Sequence, residues 1–151
     1  MELRWLLWVL PYSSLPGGFR YTMDETDKSR DKNLTGEQKK VMREKGTEAP
    51  YSGKYWDSHE QGTYECAACG AELFSSETKF DSGTGWPSFT EPANVKNIEL
   101  KEDTTAGMRR TEVACKHCGS HLGHVFNDGP KEKGGKRYCI NSVCLQLQKH
   151  E

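Results

Sequence analysis

The sequence predicts a small, mostly β, antiparallel protein, and three observations support this. Six short segments combine β-branched or aromatic residues and are separated by turn residues. One segment, 36–45, has a convincing helix signature. Four of the six cysteines form two Cys-x-x-Cys-Gly pairs, a pattern typical of metal or redox sites in intracellular proteins.

Length and composition indicate one domain with a small core. A chain of 151 residues has room for a single core and some tail, and with 34% hydrophobic and 28% charged residues another source of stability is needed. The net charge of -1 gives no global reason to bind nucleic acid or an anionic membrane. No apolar run approaches the roughly 20 residues that span a bilayer, so no membrane association is expected.

The first 32 residues differ from the rest, and we expect a flexible tail over 1–32 and the domain over 33–151. The apolar run 5–10 is shorter than the roughly 7 to 15 residues of a signal-peptide core. A disordered tail, or a true start at Met23, is favoured because glycine, proline and polar residues follow.

The helix is predicted over 36–45. Thr35 and Gln38 form the pattern of a capping box, and Gly46 is placed to end the helix. Segment 48–56 is then predicted to be extended with turns, its aromatic residues either packing on the domain or forming a substrate-facing rim.

The strands are predicted from short alternating segments between turns. Segment 80–89 is predicted to be a glycine-rich loop rather than a strand. The six predicted strands are 62–65, 71–74, 94–101, 108–114, 122–126 and 137–147.

The two cysteine pairs predict a metal site. Two residues between thiolates let both sulfurs reach one ion, and the glycine that follows permits a tight turn. Four thiolates fill a tetrahedral shell, so one structural Zn²⁺ is predicted, with two redox-active dithiols as the alternative. His117, between two ligands, is predicted to be a bystander. The predicted ligands are Cys66, Cys69, Cys115 and Cys118.

Segment 137–147 carries a candidate nucleophile. On a strand, Arg137, Cys139 and Asn141 share one face, with Cys144 on the other. A neighbouring cation lowers a cysteine pKa, so Cys139 is placed where its thiolate can be stabilised. A buried structural cysteine beside a surface arginine is the alternative.

Two histidines follow the second cysteine pair directly. Because the zinc is already satisfied by sulfur, His121 and His124 point to proton transfer. Asp128 is predicted either to accept in an ordinary turn or to orient a histidine or Arg137. Trp86, on a loop with glycines, is predicted either to pack in the core or to contact a thioether or sulfoxide methyl.

Five motifs in unbroken order resemble the methionine-R-sulfoxide reductases, the B-type enzymes, over about 34–147. They are Gly85-Trp86-Pro87-Ser88-Phe89, Arg110-Thr111-Glu112-Val113, Ser120-His121-Leu122-Gly123-His124-Val125-Phe126, Asp128-Gly129-Pro130 and Arg137-Tyr138-Cys139-Ile140-Asn141-Ser142.

The resemblance implies two small antiparallel sheets of a β-tent-like kind, with an N-terminal helix and the four-cysteine zinc away from the active site. It implies that Cys139 takes the oxygen of the R epimer and becomes a sulfenic acid. His121 and His124 would protonate the oxygen and bind substrate, with Trp86 holding the methyl. Phe126 is an expected substrate contact, and the expected supporting polar residues are Asp128, Arg137 and Asn141.

The chain departs from the family at Thr84, where many members have a resolving cysteine. Cys144 is predicted to be out of reach, roughly 16 Å from Cys139 along a regular strand. Recycling by an external reductant such as thioredoxin is therefore expected. We further expect a cytoplasmic monomer that repairs oxidised proteins or peptides in the response to oxidative stress.

Two other functions stay open on the residues alone. A zinc-ribbon binding module would use the cysteine pairs but leaves Cys139 and the histidines unexplained. A cysteine hydrolase using Cys139, His124 and Asn141 would explain those three but not Trp86.

Overall fold

A computed structural model describes residues 33–150, which form one α-helix, nine β-strands and five short 3-10 turns. Helix α1 spans Gly36–Met42. The strands are β1 (Gly62–Cys66), β2 (Glu72–Ser75), β3 (Lys79–Phe80), β4 (Ser88–Phe89), β5 (Ile98–Asp103), β6 (Arg110–Cys115), β7 (His121–Phe126), β8 (Arg137–Ile140) and β9 (Leu145–Lys149). The predicted tail over 1–32 lies outside the described residues.

The strands form two antiparallel sheets. A three-stranded sheet has the order β2-β1-β9, and a six-stranded sheet has the order β3-β4-β8-β7-β6-β5. This confirms the mainly β fold with two antiparallel sheets. Within residues 33–150, no helix is long and apolar enough to cross a membrane.

An aromatic cluster joins the two sheets. Phe74 on β2 stacks on Phe89 of β4 with ring centroids 4.5 Å apart, and Tyr64 on β1 meets Phe89 edge-on at 5.3 Å. All three side chains are fully buried. Aromatic side chains bury large apolar areas, so this cluster anchors the small sheet on the large one.

Helix α1 begins where the sequence predicts and ends earlier. Both hydrogen bonds of the capping box between Thr35 and Gln38 are present. The helix ends at Met42 rather than at 45, because Lys45 takes a left-handed conformation (φ 59°) and the Gly46 amide returns to the Lys40 carbonyl at 3.0 Å. The buried Val41 and Met42 hold the helix on the core.

Two predictions near the sheet edges need correction. Both ends of the segment predicted as a loop over 80–89 are in strands: Phe80 belongs to β3, and the fully buried residues 88–89 form β4, which pairs with β3 and β8. The strand predicted over 94–101 starts at Ile98, since the Asn94 side chain accepts from the Lys96 amide and starts a 3-10 turn over Val95–Asn97.

The strand predicted over 137–147 is two strands in different sheets. Strand β8 pairs with β4 and β7, whereas β9 pairs with β1. Between them lies a 3-10 turn over Ser142–Cys144, closed by a hydrogen bond from the Cys144 amide to the Asn141 carbonyl at 3.1 Å. The alternation of polar and apolar residues continues across the break, so the sequence pattern did not reveal it.

Candidate active site and metal centre

The four predicted ligand cysteines converge. Their sulfur atoms lie within 4.8 Å of one another. Cys66 ends β1 and Cys115 ends β6, and each begins a turn in which the glycine after the second cysteine is left-handed, Gly70 at φ 81° and Gly119 at φ 79°. A non-glycine residue would be strained there, which explains the glycine in both pairs.

This cluster has the chemistry of a possible metal site. Hydrogen bonding to Cys115 and Cys118, together with burial, raises the pKa of the Cys66 thiol well above its ordinary value. A bound cation would allow four adjacent thiols to ionise. Four sulfur donors fit a sulfur-preferring tetrahedral ion and leave no open position. His117 is exposed and does not join the cluster.

Six of the predicted site residues line one cavity of about 290 Å³. They are Trp86, His124, Phe126, Arg137, Cys139 and Asn141. None of the four clustered cysteines lines it. Strand β6 runs from Arg110 at the cavity to Cys115 at the cluster, about 16 Å at roughly 3.3 Å per residue.

Cys139 lies on β8 between β4 and β7. Ser88 is its partner on β4 and His124 its partner on β7, so His124 is its direct cross-strand neighbour. Burial raises the pKa of the Cys139 thiol above its ordinary value, and Arg137 and Thr84 lower it only in part. The cation effect expected from the sequence is present, but burial outweighs it.

Arg137 is fixed by an acid and an aromatic ring. Its guanidinium donates to both carboxylate oxygens of Asp128, at 2.9 and 3.2 Å, and lies 4.5 Å from the centre of the Phe126 ring. The hydrogen bond from Arg137 lowers the pKa of Asp128. Of the two partners considered for Asp128, a histidine or Arg137, the structure shows Arg137. Asp128 itself is exposed and does not line the cavity.

His124 is paired with a carboxylate that was not predicted. Its Nε2 lies 2.7 Å from Asp103 at the end of β5, and Asp103 also accepts from Arg110 at 3.3 Å. Hydrogen bonds from Thr105 and His124 hold the pKa of Asp103 well below its ordinary value. An ionised carboxylate only accepts, so the His124 Nε2 carries the proton of this hydrogen bond.

His121 lies behind His124 and does not line the cavity. The two ring centroids are 5.5 Å apart, and the His121 Nδ1 is 2.7 Å from Glu112. Burial lowers the pKa of His121 despite that partner. Burial raises the pKa of Glu112, but His121 and Lys45 outweigh it and the net shift is downward. Among the described residues, the buried Nε2 of His121 has no hydrogen-bond partner.

Both polar atoms of the Asn141 amide are hydrogen-bonded within the protein. Its Oδ1 accepts from the Glu48 amide at 3.0 Å, and its Nδ2 donates to the Leu122 carbonyl at 2.9 Å. A cysteine hydrolase that uses Asn141 to orient His124 is therefore disfavoured, because Asp103 occupies that place. The Trp86 indole N–H donates to the Glu48 carbonyl at 3.1 Å, which turns the partly buried ring toward the cavity rather than into the core.

The two positions considered for recycling differ in access. Thr84 lines the cavity together with Cys139, and its side chain lowers the pKa of the Cys139 thiol in part. Cys144 is fully buried, and its thiol donates to the His121 carbonyl at 3.3 Å. The predicted 16 Å separation assumed a regular strand and does not apply across the turn, but burial keeps Cys144 out of the cavity.

Sequence reasoning missed four contributors to the site. Thr47 and Arg110 line the cavity, Asp103 pairs with His124, and Glu48 holds Trp86 and Asn141. Arg110 lies in a motif that the resemblance includes, but nothing in the pattern assigned it a place. The others come from distant segments, so no local spacing indicated them.

The family model of the SelR domain matches residues 34–149. The mainly β fold, the four-cysteine cluster and the separate cavity that contains Cys139 therefore describe a protein of the SelR class. The chain is 55% identical over 129 residues to the peptide methionine sulfoxide reductase MsrB of Methanosarcina barkeri, covering 85% of this chain and 90% of that protein. The proteins of the same name from Leptospira interrogans and Acinetobacter baumannii are each 50% identical over 129 residues, with 85% of this chain and 98% and 92% of theirs covered. The chain therefore belongs to the MsrB family and is an oxidoreductase.

Proposed function

We propose that the protein reduces the R epimer of methionine sulfoxide, in peptides or proteins, back to methionine through a sulfenic acid on Cys139. The observation that carries the proposal is that one cavity brings Cys139 together with His124 and the aromatic rings of Trp86 and Phe126. The names of the relatives support the substrate class.

The reaction balances as an oxygen transfer. The Cys139 thiol and the sulfoxide give Cys–SOH and a thioether, so the substrate sulfur gains two electrons and the cysteine sulfur loses two. Because oxide is a poor leaving group, the sulfoxide oxygen must be protonated as sulfur is attacked. His124 lies opposite Cys139 on the neighbouring strand, where acid and nucleophile can reach one sulfoxide.

The predicted site residues are proposed to have the following roles. His124, oriented by Asp103, takes the thiol proton of Cys139 on Nδ1 and passes it to the sulfoxide oxygen, and Trp86 and Phe126 hold the methyl and thioether. Arg137, oriented by Asp128, stabilises the developing thiolate. His121 and Asn141 act as supports, since His121 does not line the cavity and both polar atoms of the Asn141 amide are bonded within the protein.

Recycling requires a second thiol from outside. Two external thiols reduce Cys–SOH to the free thiol, releasing water and forming their own disulfide. Thr84 stands beside Cys139 where a resolving cysteine would act, and Cys144 is buried. We therefore propose direct reduction by thioredoxin or a similar dithiol.

The proposal includes one structural zinc held by Cys66, Cys69, Cys115 and Cys118. The supporting observation is the four-thiol donor set within 4.8 Å. Bound metal would lock the end of β1 to the end of β6, and so the small sheet to the large one.

We also propose that 33–151 is the catalytic domain, which the family match over residues 34–149 supports. None of the six cysteines, all of which lie in the described residues, forms a disulfide, as expected in a reducing compartment, and this supports a cytoplasmic location. A monomeric enzyme that repairs oxidised proteins under oxidative stress completes the proposal.

An assay with the separated R and S epimers of a methionine sulfoxide peptide, with dithiothreitol as reductant, tests the function. We expect turnover of the R epimer only, and its loss in Cys139→Ser with fold and metal content retained. Cys144→Ser is the control and should keep turnover near wild type. Turnover of the S epimer by wild type, or of the R epimer by Cys139→Ser, would refute the proposal.

A further inference from the structure

Glu48 is a buried carboxylate to which the chemistry above gives no role. Its exposed fraction is 5%, although it lies in an irregular segment between α1 and β1. Carboxylates are rarely this buried unless they are paired or fully hydrogen-bonded. Its contacts therefore show what the burial achieves.

The carboxylate of Glu48 holds the turn that separates β8 from β9. Its Oε2 accepts from the Ser142 amide at 2.9 Å and its Oε1 from the Val143 amide at 3.0 Å. Both amides belong to the 3-10 turn that directly follows Asn141. The side chain thus fixes the point at which the chain carrying Cys139 leaves the large sheet.

The backbone of the same residue holds two walls of the cavity. Its N–H donates to Asn141 Oδ1 at 3.0 Å, and its carbonyl accepts from Trp86 Nε1 at 3.1 Å. Thr47, the residue before it, lines the cavity itself. One residue therefore connects the ring proposed to hold the substrate methyl to the end of the strand that carries the nucleophile.

The fit is specific for glutamate. Two N–H donors face the two carboxylate oxygens, so the amide of glutamine would turn one N–H₂ group against an N–H. Aspartate is one methylene shorter. The surroundings are tight, since a Cβ added at Gly53 would lie 2.6 Å from Glu48 Oε2.

We propose that Glu48 is a positioning residue for the sulfoxide pocket, one that sets the Trp86 ring and Asn141 relative to Cys139. This inference rests on the proposed function only for the identity of the bound substrate. The geometry of Trp86 that it predicts can be measured without any turnover.

The first test is spectroscopic. In wild type, the Trp86 indole N–H should exchange slowly with solvent by NMR, with the resonance assigned by its loss in Trp86→Phe. In Glu48→Gln this exchange should accelerate by at least about ten-fold, because the backbone carbonyl that accepts the N–H shifts. Glu91→Gln, at an exposed glutamate, is the matched control and should leave exchange unchanged.

The second test is kinetic. Glu48→Gln should lower kcat/KM for the R-sulfoxide peptide about ten-fold or more, mainly through KM, as expected for a displaced substrate-holding ring. In a double variant with Trp86→Phe, Glu48→Gln should lower kcat/KM much less than it does alone, since the two positions act as one unit. Full additivity would overturn the proposal.

The outcomes separate positioning from mere stability. If Glu48→Gln lowers the melting temperature but leaves Trp86 exchange and KM as in Glu91→Gln, Glu48 is structural and the inference is wrong. If Glu48→Gln fails to fold, the wild-type protein still tests the inference. Hydrogen exchange of its Trp86 indole N–H as fast as in free indole would contradict the hydrogen bond to the Glu48 carbonyl. If wild type shows protected Trp86 exchange but no sulfoxide turnover, the proposed function fails and the positioning geometry stands.

Discussion

At the scale of single residues, burial disfavours the thiolate form of Cys139, and neighbouring groups offset part of this effect. Arg137 is the largest compensating charge on Cys139. A raised pKa means that the thiolate fraction is small at neutral pH and grows as pH rises. The proposed reaction accordingly needs a nucleophile and an acid that work together, not a fully ionised thiol.

This gives a prediction about pH. Alkylation of Cys139 by iodoacetamide should increase with pH and reach half of its maximum above the ordinary thiol pKa. Arg137→Met keeps the packing on Phe126 but removes the charge, so the pKa should rise further and alkylation at pH 8 should fall several-fold. Arg109→Met, at an exposed arginine, is the control. A midpoint that moves to lower pH would contradict the role of Arg137.

A second prediction concerns Thr84. Because Thr84 and Cys139 line the same cavity, Thr84→Cys should place a second thiol within reach of the sulfenic acid. After one equivalent of substrate without reductant, peptide mapping should find a disulfide between positions 84 and 139. Thr84→Ser, the control, should leave the sulfenic acid uncondensed. A persistent sulfenic acid in Thr84→Cys would mean that the loop holds the two sulfurs apart.

Most of the site residues could be predicted from the sequence, whereas their hydrogen-bond partners could not. The four ligands and the cavity members Trp86, His124 and Cys139 follow from spacing and from the family motifs. Asp103 on β5 reaches His124 on β7 across the intervening β6, Glu112 on β6 pairs with His121 on the adjacent β7, and Glu48 reaches the site from 93 residues before Asn141. Contacts this distant in sequence leave no local period to detect.

At the scale of elements, strand β8 is the centre of the site. It is held by β4 on one side and β7 on the other, which places Cys139 opposite His124. The pattern predicted which residues share its face but placed its end seven residues too late. The end of β8 is set by side-chain hydrogen bonds rather than by the alternation of polar and apolar residues. Asn141 donates to the Leu122 carbonyl, and Glu48 accepts from the Ser142 amide.

Close approach of β7 to β8 gives a prediction at this scale. A Cβ at Gly123 would lie 2.1 Å from the Cys139 carbonyl oxygen, so Gly123→Ala must push the strands apart. We expect a loss of about 1–3 kcal/mol in the free energy of unfolding, the usual range for overpacking, and strongly reduced turnover. Gly36→Ala is the control, because nothing lies within 4 Å of its added Cβ. Urea denaturation and the R-epimer assay measure both effects.

At the scale of the whole molecule, the four-cysteine cluster and the cavity lie at opposite ends of β6. The small apolar fraction of the sequence had already indicated that the fold needs a source of stability besides its core, and the cluster is the candidate for it. The topology was accessible only through the resemblance, because strand order depends on pairings between distant segments.

Metal removal tests whether the four-cysteine cluster stabilises the fold. Cys66→Ser should release the metal and lower the free energy of unfolding by roughly several kcal/mol, because bound metal stabilises only the folded state. His117→Ala, between two ligands but exposed, should keep one zinc per chain. Native mass spectrometry and thermal unfolding measure both. A metal-free wild type of full stability would contradict the structural site.

The central claim is that the substrate oxygen passes to Cys139, and trapping that oxygen tests it most directly. Wild-type protein treated with one equivalent of the R-sulfoxide peptide, without reductant, should be labelled stoichiometrically at Cys139 by a sulfenic-acid reagent. Peptide mapping should place the label there alone, because no second thiol lines the cavity among residues 33–150. Methionine formation with no label at Cys139, or a disulfide between Cys139 and Cys144, would contradict the account.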